Sequence, residues 1–200
     1  MNIGIDIDDT ITFTSKSMIK YADLYDKNIL GKSGINGNFG LITNRYYLNT
    51  LYGWDDKTKQ DFFNLYYKNI LEECEIMPHA VDSINTLKTE NNNIYFITAR
   101  LMKIDNCDTV DITKNTLNDI KYDELIIESD KLKICKEKNI DIFIEDSYDT
   151  CKELQLNGIK TYLMTTKMNE RIEDEEIERV KSWDELYLKI NNYIGSLHNS

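Results

Sequence analysis

Histidine is scarce in this sequence, which has only two among 200 residues. With His79 and His198 alone available, a histidine-rich metal site or a serine–histidine catalytic triad is not expected. The four cysteines are widely spaced and form no Cys-x-x-Cys pair, which indicates reduced thiols in a cytoplasmic protein rather than disulfides or zinc ligands. They are Cys74, Cys107, Cys135 and Cys151.

The sequence is also poor in positive charge and in long apolar runs. Its 24 Lys and Arg against 35 Asp and Glu give a formal net charge of −11. This balance disfavours binding to nucleic-acid polymers and anionic membranes, because both need clustered basic residues. No apolar run approaches the roughly 18 residues of a membrane span, and the first residues do not follow a signal-peptide pattern, so we expect no membrane contact. A small phosphate ester remains compatible if a metal and a few local cations neutralise its site.

The most informative motif that is present runs from Gly4 to Thr10, Gly-Ile-Asp-Ile-Asp-Asp-Thr. A short apolar stretch that ends in carboxylates is typical of a buried parallel strand that delivers acids to its carboxyl edge. Asp6 and Asp8 are two residues apart, so both face one ligand if the strand continues. Because two buried acids are costly unless a cation offsets them, the motif favours a Mg²⁺ site. The alternative is a turn whose Asp side chains only accept hydrogen bonds from backbone N–H groups.

Apolar runs alternate with helical patterns beyond residue 78, which predicts an α/β fold with a doubly wound parallel sheet. Besides the first strand, we expect strands at 94–97, 125–127, 141–144 and 159–164. The helices between and after them are expected at 78–90, 108–122, 130–138, 148–156 and 182–194. The acidic segment 170–178 is predicted to be a solvated surface.

Residues 14–77 have a different pattern, because they are rich in aromatics and show no convincing strand. We expect helices at about 15–26, 43–51 and 56–74 and a glycine-rich loop across 31–40. The sequence therefore predicts an α/β core of residues 1–13 and 78–200. Residues 14–77 are predicted to be a small helical cap, inserted after the first strand and lying over the strand ends.

Polar residues follow three of the predicted core strands: Asp6 and Asp8, then Thr98, then Glu145 with Asp146. Because the carboxyl ends of parallel strands share one edge of a sheet, we expect these side chains to meet in one crevice. A carboxylate beside Mg²⁺ can attack phosphorus and form an aspartyl-phosphate.

This order of motifs resembles that of the haloacid dehalogenase superfamily of phosphohydrolases: Asp-x-Asp-x-Thr, a Thr that ends an apolar strand, a Lys, and an acidic pair. The resemblance covers residues 1–13 and 78–195. It implies that Asp6 is the nucleophile that takes the phosphoryl group. It implies that Asp8 is the general acid for the leaving group and then the general base for water. The implied Mg²⁺ ligands are Asp6, the backbone carbonyl of Asp8, and Asp146.

The same resemblance implies a phosphate-binding set. Thr98 and the backbone N–H of Ala99 would hold a phosphoryl oxygen, and Lys131 would neutralise charge on the phosphoryl group and the nucleophile. An alternative for Thr98 is a strand-end hydroxyl that caps the next turn. Lys133 and Lys136 compete with Lys131 for its role.

Three acidic positions are less well defined by the resemblance. Glu145 would hold a metal-bound water, but many relatives have Gly or Asp in its place. Asp149 would orient the lysine or a water. Asp9 stands where Gly is frequent, outside the expected ligand set.

The chain is more closely similar to the 5′(3′)-deoxyribonucleotidase family and its bacterial members, through residues 6–12, 96–100 and 143–149 and the small helical cap. In that family, the cap supplies aromatic side chains against the base, although rings at helical spacing also form cap cores. The candidates here are Phe13, Phe39, Tyr46, Tyr47, Trp54 and Phe63. Arg100 would either contact a second phosphate or sugar, or pair with a nearby acid.

The resemblance thus implies a Mg²⁺-dependent phosphatase acting on a (deoxy)nucleoside monophosphate in the cytoplasm. One alternative is a phosphatase of a sugar or cofactor phosphate. A second is a receiver-type signalling domain, which fits poorly because it carries its phospho-acceptor on a middle strand and has no such helical insertion. A third, a catalytically silent phosphate-binding module, would lack one of the key carboxylates. The oligomeric state is left open, with a homodimer among the alternatives.

Overall fold

A computed structural model describes residues 1–35, 47–100, 103–104 and 107–197, without the side chains of Tyr47, Lys103, Ile104 and Cys107. The elements in chain order are β1 (Asn2–Ile5), α1 (Thr14–Asn28), α2 (Tyr47–Tyr52), α3 (Asp56–Glu73), α4 (Ala80–Thr89), β2 (Asn93–Thr98), β3 (Lys103–Ile104), β4 (Cys107–Asp108), α5 (Thr109–Thr116), β5 (Glu124–Ile127), α6 (Lys131–Glu137), β6 (Ile142–Glu145), α7 (Tyr148–Leu156), β7 (Lys160–Met164), β8 (Arg179–Val180) and α8 (Trp183–Leu197). Within the described residues, no helix is both long enough and apolar enough to span a membrane.

Six of these strands form one parallel sheet in the order β5-β2-β1-β6-β7-β8. The first strand lies between β2 and β6, and Ile5 is in register with Phe96 on one side and with Ile144 on the other. The carboxyl ends of β1, β2 and β6 are therefore neighbours at one edge of the sheet. The predicted α/β fold, with its doubly wound parallel sheet and helices inserted after the first strand, is confirmed.

Both faces of the sheet are buried, which explains why its strands are apolar rather than alternating. One face packs with α4 and α8 around Ile3, Ile5 and their strand neighbours, and the opposite face packs with α6 and α7 around Phe143. Gly4 lies opposite Phe143 in register, and a Cβ at Gly4 would come within 2.5 Å of the Phe143 ring. Only glycine leaves room for that ring.

The three helices after β1 have an apolar cluster of their own, separate from both faces of the sheet. Its buried members are Tyr21, Ala22, Tyr25, Leu48, Leu51, Tyr52, Trp54, Phe62 and Ile70. The longest helix, α3, begins where the Asp55 side chain accepts a hydrogen bond from the backbone N–H of Thr58 at 2.7 Å. This separate apolar cluster supports the interpretation of the inserted helices as a cap. The boundaries of that cap, residues 14–77, stay a prediction. Residues 36–46, which include half of the glycine-rich loop and Phe39 and Tyr46, lie outside the described residues.

The structure differs from the sequence predictions in three places. The helix predicted to reach residue 122 ends at Thr116, because Leu117 and Ile120 turn into the core of the sheet. Three strands, β3, β4 and β8, were not predicted, because two residues are too few to show a period. The segment 170–178, predicted to be a solvated surface, buries Ile177 at 4% exposure, so its acidic composition concealed an inward-facing side.

Candidate active site

The strand ends open into a cavity of about 660 Å³ between the sheet edge and the inserted helices. Every residue that the sequence predicted for catalysis, phosphate binding or metal binding borders it. These are Asp6, Asp8, Thr98, Ala99, Lys131 and Asp146, and Arg100, Glu145 and Asp149 line the same cavity. The ends of the three strands thus meet at one cavity, as predicted. The chemical role of each residue stays a prediction.

Asp6 and Lys131 form a buried ion pair in the floor of this cavity. The Lys131 Nζ donates to Asp6 Oδ1 at 2.6 Å and to Glu145 Oε2 at 2.5 Å. Lys131 is the first residue of α6, which begins where Asp130 accepts a hydrogen bond from the Lys133 backbone N–H, and this cap directs Lys131 inward. Burial opposes the charge on Lys131, but Asp6 and Glu145 raise its pKa above the ordinary value.

The competitors for Lys131 face away, since Lys133 and Lys136 are both exposed. Glu145 was predicted to hold a metal-bound water. In the structure, its carboxylate binds Lys131 and accepts a hydrogen bond from the Ser147 backbone N–H at 3.1 Å. Asp149 is exposed at the rim, and no hydrogen bond joins it to Lys131 within the described part of the chain.

Three carboxylates crowd the end of β1 and β6. Asp6, Glu145 and Asp146 each place an oxygen within 4.8 Å of the other two, in an arrangement that could hold a metal ion. Burial, followed by the charges of Glu145, Asp9 and Asp6, raises the pKa of Asp146 well above its ordinary value. Burial is also the main reason that the pKa of Asp6 is raised to about 7. One lysine does not balance three acids, so this donor set fits a hard divalent cation.

The Asp8 side chain belongs to a second ion pair, with Arg100. Arg100 Nε lies 3.0 Å from Asp8 Oδ2, and Nη2 lies 2.7 Å from Oδ1, while Nη1 donates to Thr113 Oγ1 at 3.0 Å. Thr14 donates to Asp8 Oδ1 at 2.6 Å. Burial would raise the pKa of Asp8, but the charge and hydrogen bonds of Arg100 and the hydrogen bond of Thr14 hold it below the ordinary value.

Of the two roles that the sequence left open for Arg100, the structure shows the pairing with an acid. Its side chain is 0% exposed and paired with Asp8, and the residue also lines the cavity. Because the guanidinium is a rigid fork, it fixes both oxygens of Asp8 at once.

Asp9 ties the inserted helices to the motif. Its φ of 55° lies in the left-handed region, which explains why glycine suits this position, and its carboxylate accepts hydrogen bonds from the backbone N–H and the Oγ of Ser15 in the first turn of α1. Burial raises the pKa of Asp9 to about 6. Asp8 and Asp9 thus both contact the N-terminal turn of α1, at Thr14 and Ser15.

Thr98 and Ala99 lie at the end of β2 as the sequence predicted. Thr98 is 1% exposed and its Oγ1 accepts a hydrogen bond from the Arg100 backbone N–H at 3.3 Å, so it also has the turn-capping role that was the alternative. Ala99 is exposed to the cavity.

Among the described residues of the inserted helices, Tyr67 of α3 is the aromatic side chain that lines the cavity wall, and the sequence did not single it out. Among the candidate aromatics within the described residues, Trp54 is buried in the cap cluster and donates from Nε1 to Asp26 Oδ1 at 2.7 Å. Phe63 packs against the same cluster, and Phe13 does not border the cavity. Trp54 and Phe63 therefore contribute to the packing of the cap.

Sequence reasoning also missed Met168, Asn169 and Ile172, which line the cavity from the segment after β7. Asn169 is 3% exposed and its side chain donates to the backbone carbonyl of Asp146 at 2.7 Å. No signal in the sequence separates this asparagine from the polar residues around it, because the Asp146 carbonyl that it binds lies 23 positions away along the chain.

Comparison of the sequence with known proteins identifies a family. Residues 1–193 match the family model described as 5′ nucleotidase, deoxy (Pyrimidine), cytosolic type C protein. A nucleotidase from Clostridium acetobutylicum is 31% identical over 191 residues, which cover 94% of this chain and 92% of that protein.

Solved structures share the fold at lower identity. A haloacid dehalogenase-like hydrolase from Streptococcus pneumoniae has a TM-score of 0.65 at 15% identity, covering 96% of this chain and 97% of its own. CbbY from Rhodobacter sphaeroides, in complex with phosphate, has a TM-score of 0.61 at 13% identity, covering 92% and 95%. The match along nearly the whole sequence shows that the chain belongs to the cytosolic type C 5′ nucleotidase family of phosphoric monoester hydrolases, with the fold of haloacid dehalogenase-like hydrolases.

Proposed function

We propose that this protein is a Mg²⁺-dependent 5′-nucleotidase that hydrolyses a (deoxy)nucleoside monophosphate through a phosphoryl group carried on Asp6. The observation that supports this most strongly is the Asp6 carboxylate, which lies in the cavity floor against Lys131 and within 4.8 Å of the Glu145 and Asp146 oxygens. A nucleophilic carboxylate, a buried cation and surplus acids in one cavity are what phosphoryl transfer needs.

In the first step, a carboxylate oxygen of Asp6 attacks phosphorus and the bond from phosphorus to the ester oxygen breaks. Asp8 donates its proton to the departing oxygen, so the nucleoside leaves as an alcohol. Thr98 and the Ala99 backbone N–H hold phosphoryl oxygens, and Lys131 offsets the negative charge that gathers between nucleophile and phosphorus. The product of this step is an acyl-phosphate on Asp6.

In the second step, Asp8 takes a proton from water, the water oxygen attacks phosphorus, and the bond to Asp6 breaks to release inorganic phosphate. Arg100 and Thr14 keep Asp8 directed at the cavity during both steps. Arg100 lowers the pKa of Asp8 in the free protein, whereas a phosphate dianion bound beside Asp8 raises it toward the protonated form that the first step requires.

Asp6 and Asp146, together with the Asp8 backbone carbonyl, are the residues that would hold Mg²⁺, and Glu145 adjoins them. When bound, Mg²⁺ supplies positive charge that keeps these acids ionised and reduces the repulsion between an anionic nucleophile and an anionic substrate.

A nucleotide is proposed as substrate because of the family match and because Tyr67, Met168 and Ile172 are among the residues that line the cavity, which gives it apolar and aromatic surface beside the acids. A panel of deoxynucleoside, ribonucleoside, sugar and cofactor monophosphates with Mg²⁺ tests this part. Faster turnover of a sugar or cofactor phosphate than of every nucleotide would reject the substrate class and keep the phosphatase mechanism. A cytoplasmic location belongs to the same proposal.

The mechanism itself is tested by Asp6→Asn, assayed on a generic aryl phosphate. The amide is a poor nucleophile, so we expect activity to fall by at least about 10³-fold, within the range seen when a nucleophile is removed. Asp61→Asn, an exposed change on α3, serves as the control and should leave both activity and the thermal midpoint unaltered. An Asp6→Asn protein that hydrolyses the ester as fast as the parent would reject Asp6 as the nucleophile.

A further inference from the structure

Asn169 uses all the hydrogen-bonding capacity of its side-chain amide. Its Nδ2 donates to the backbone carbonyls of Asp146 at 2.7 Å and Met164 at 2.8 Å. Its Oδ1 accepts from the Thr166 backbone N–H at 3.1 Å and from Arg179 Nη1 at 2.9 Å. An amide has two donors and two lone pairs, so no other side chain of this size could satisfy the four partners.

Two of those partners lie at the carboxyl ends of neighbouring strands. Met164 is the last residue of β7, and Asp146 follows the last residue of β6. Asn169 therefore joins the two strand ends at the point where the hydrogen-bonding ladder of the sheet stops, and where an acid predicted to bind the metal begins.

The peptide unit that follows Asp146 is held at both of its ends. Its carbonyl accepts the hydrogen bond from Asn169, and its N–H, which belongs to Ser147, donates to Glu145 Oε1 at 3.1 Å. Because a peptide unit is planar, fixing both groups fixes the backbone at Asp146 and with it the direction in which the carboxylate leaves the chain. Within the described residues, the carboxylate itself accepts no hydrogen bond, so nothing but its backbone and neighbouring charges directs it.

Arg179 anchors Asn169 from behind. Besides Nη1, its Nη2 donates to the Asn169 backbone carbonyl at 2.8 Å and to the Ile172 carbonyl at 2.5 Å. Arg179 lies on β8, which pairs with β7, so the sheet supports the asparagine through this arginine.

We propose that Asn169 is a positioning residue for the metal-binding acid Asp146, and that Arg179 holds Asn169 in place for this purpose. The proposal rests on the proposed function in that it takes Asp146 to bind Mg²⁺. It predicts that weakening either residue weakens cation binding before it affects the chemistry of Asp6, because neither side chain touches Asp6, Asp8 or Lys131.

The test is direct titration of the protein with Mg²⁺ by calorimetry, without substrate, and of Mn²⁺ by electron paramagnetic resonance. We expect Asn169→Ala to lower the affinity for both ions by about 10-fold, the usual loss when a group that orients a ligand is removed. Arg179→Lys keeps the positive charge but loses the planar guanidinium. It should fold more readily than Asn169→Ala and should lower the affinity for both ions by a smaller factor. In the double variant the two losses should be less than additive, since both act through one hydrogen-bonded chain.

The matched control is Asn157→Ala, at the exposed end of α7, where the lost hydrogen bonds lie far from the acids. It should leave Mg²⁺ affinity unchanged. An Asn169→Ala or Arg179→Lys protein with a lowered thermal midpoint but with parental affinity for both ions would overturn the positioning role and leave a purely structural one.

Failure of the proposed function has a different signature. If the parent binds neither ion, Asp146 is not a metal ligand and both proposals are wrong. If the parent binds Mg²⁺ and the Asn169 variants bind it equally well, only the positioning proposal is overturned.

Discussion

Two regions of this molecule bury carboxylates, and they do so in opposite ways. In the cap cluster, Asp26 is 0% exposed, and its two oxygens accept hydrogen bonds from the Trp54 Nε1 at 2.7 Å and the Gly34 backbone N–H at 2.9 Å. At the sheet edge, Asp6, Glu145 and Asp146 lie together, with Lys131 as the shared cation among the described side chains.

The difference separates a structural acid from a functional one. Asp26 is satisfied by neutral donors that are fixed by the fold, so its burial needs nothing from outside the chain. The sheet-edge acids exceed the positive charge beside them. Burial first, and then the charges of the neighbouring acids, raise the pKa of Asp146 and of Asp6. Burial of a carboxylate alone therefore does not identify a site, whereas burial with uncompensated charge does.

The strongest test of this distinction between the two regions is a pair of matched substitutions, Asp146→Asn and Asp26→Asn. We expect Asp146→Asn to lower phosphatase activity and Mg²⁺ affinity by about 100-fold or more, since a ligand is lost. Its metal-free thermal midpoint should rise, because one of three crowded charges is removed. Activity assays, calorimetry and thermal unfolding measure these effects.

Asp26→Asn is expected to do the reverse. An amide cannot accept from both donors with the same geometry, so we expect a loss of about 1–3 kcal/mol in the free energy of unfolding. Activity per folded molecule and Mg²⁺ affinity should stay at the parental values. Equal behaviour of the two variants would remove the distinction between the regions.

The second ion pair of the site, Asp8 with Arg100, gives a smaller expected effect. Arg100→Lys keeps the charge but loses the fork that holds both Asp8 oxygens. We expect kcat to fall by about 10-fold with little change in KM, a part of the roughly 10²–10⁴-fold that a positioned acid–base group contributes. Arg171→Lys, an exposed change, is the control in steady-state assays. An unchanged kcat in Arg100→Lys would mean that Asp8 acts without the contact of the guanidinium with both of its oxygens.

The last prediction concerns the sheet that carries both ion pairs, and it bears on stability rather than on activity. Gly4→Ala places a Cβ against the Phe143 ring, and we expect the free energy of unfolding to fall by about 1–3 kcal/mol from overpacking. Phe143→Leu in the same chain should recover part of this loss. Gly195→Ala in α8, where a Cβ meets nothing within 4 Å, should instead stabilise by about 0.5–1 kcal/mol. Denaturant unfolding measures all three, and equal effects at Gly4 and Gly195 would contradict the packing argument.

The sequence alone predicted the parts of the structure that depend on local pattern. The apolar runs before Asp6, Thr98 and Glu145 became adjacent strands, because a chain buried on both faces must be apolar along its length. Side-chain caps at Asp55, Asp108 and Asp130 began the helices where the sequence placed them, since a cap contacts backbone only a few residues away.

Only the tertiary structure decided what depends on residues far apart in the chain. Arg100 pairs with Asp8 across 92 positions, Asn169 reaches the Asp146 carbonyl across 23, and Tyr67 enters the cavity by the packing of α3. A local pattern carries no information on such partners, because hydrogen-bond geometry and burial are set by how whole elements dock. The acids of the site were therefore readable from the sequence, and the groups that hold them in place were not.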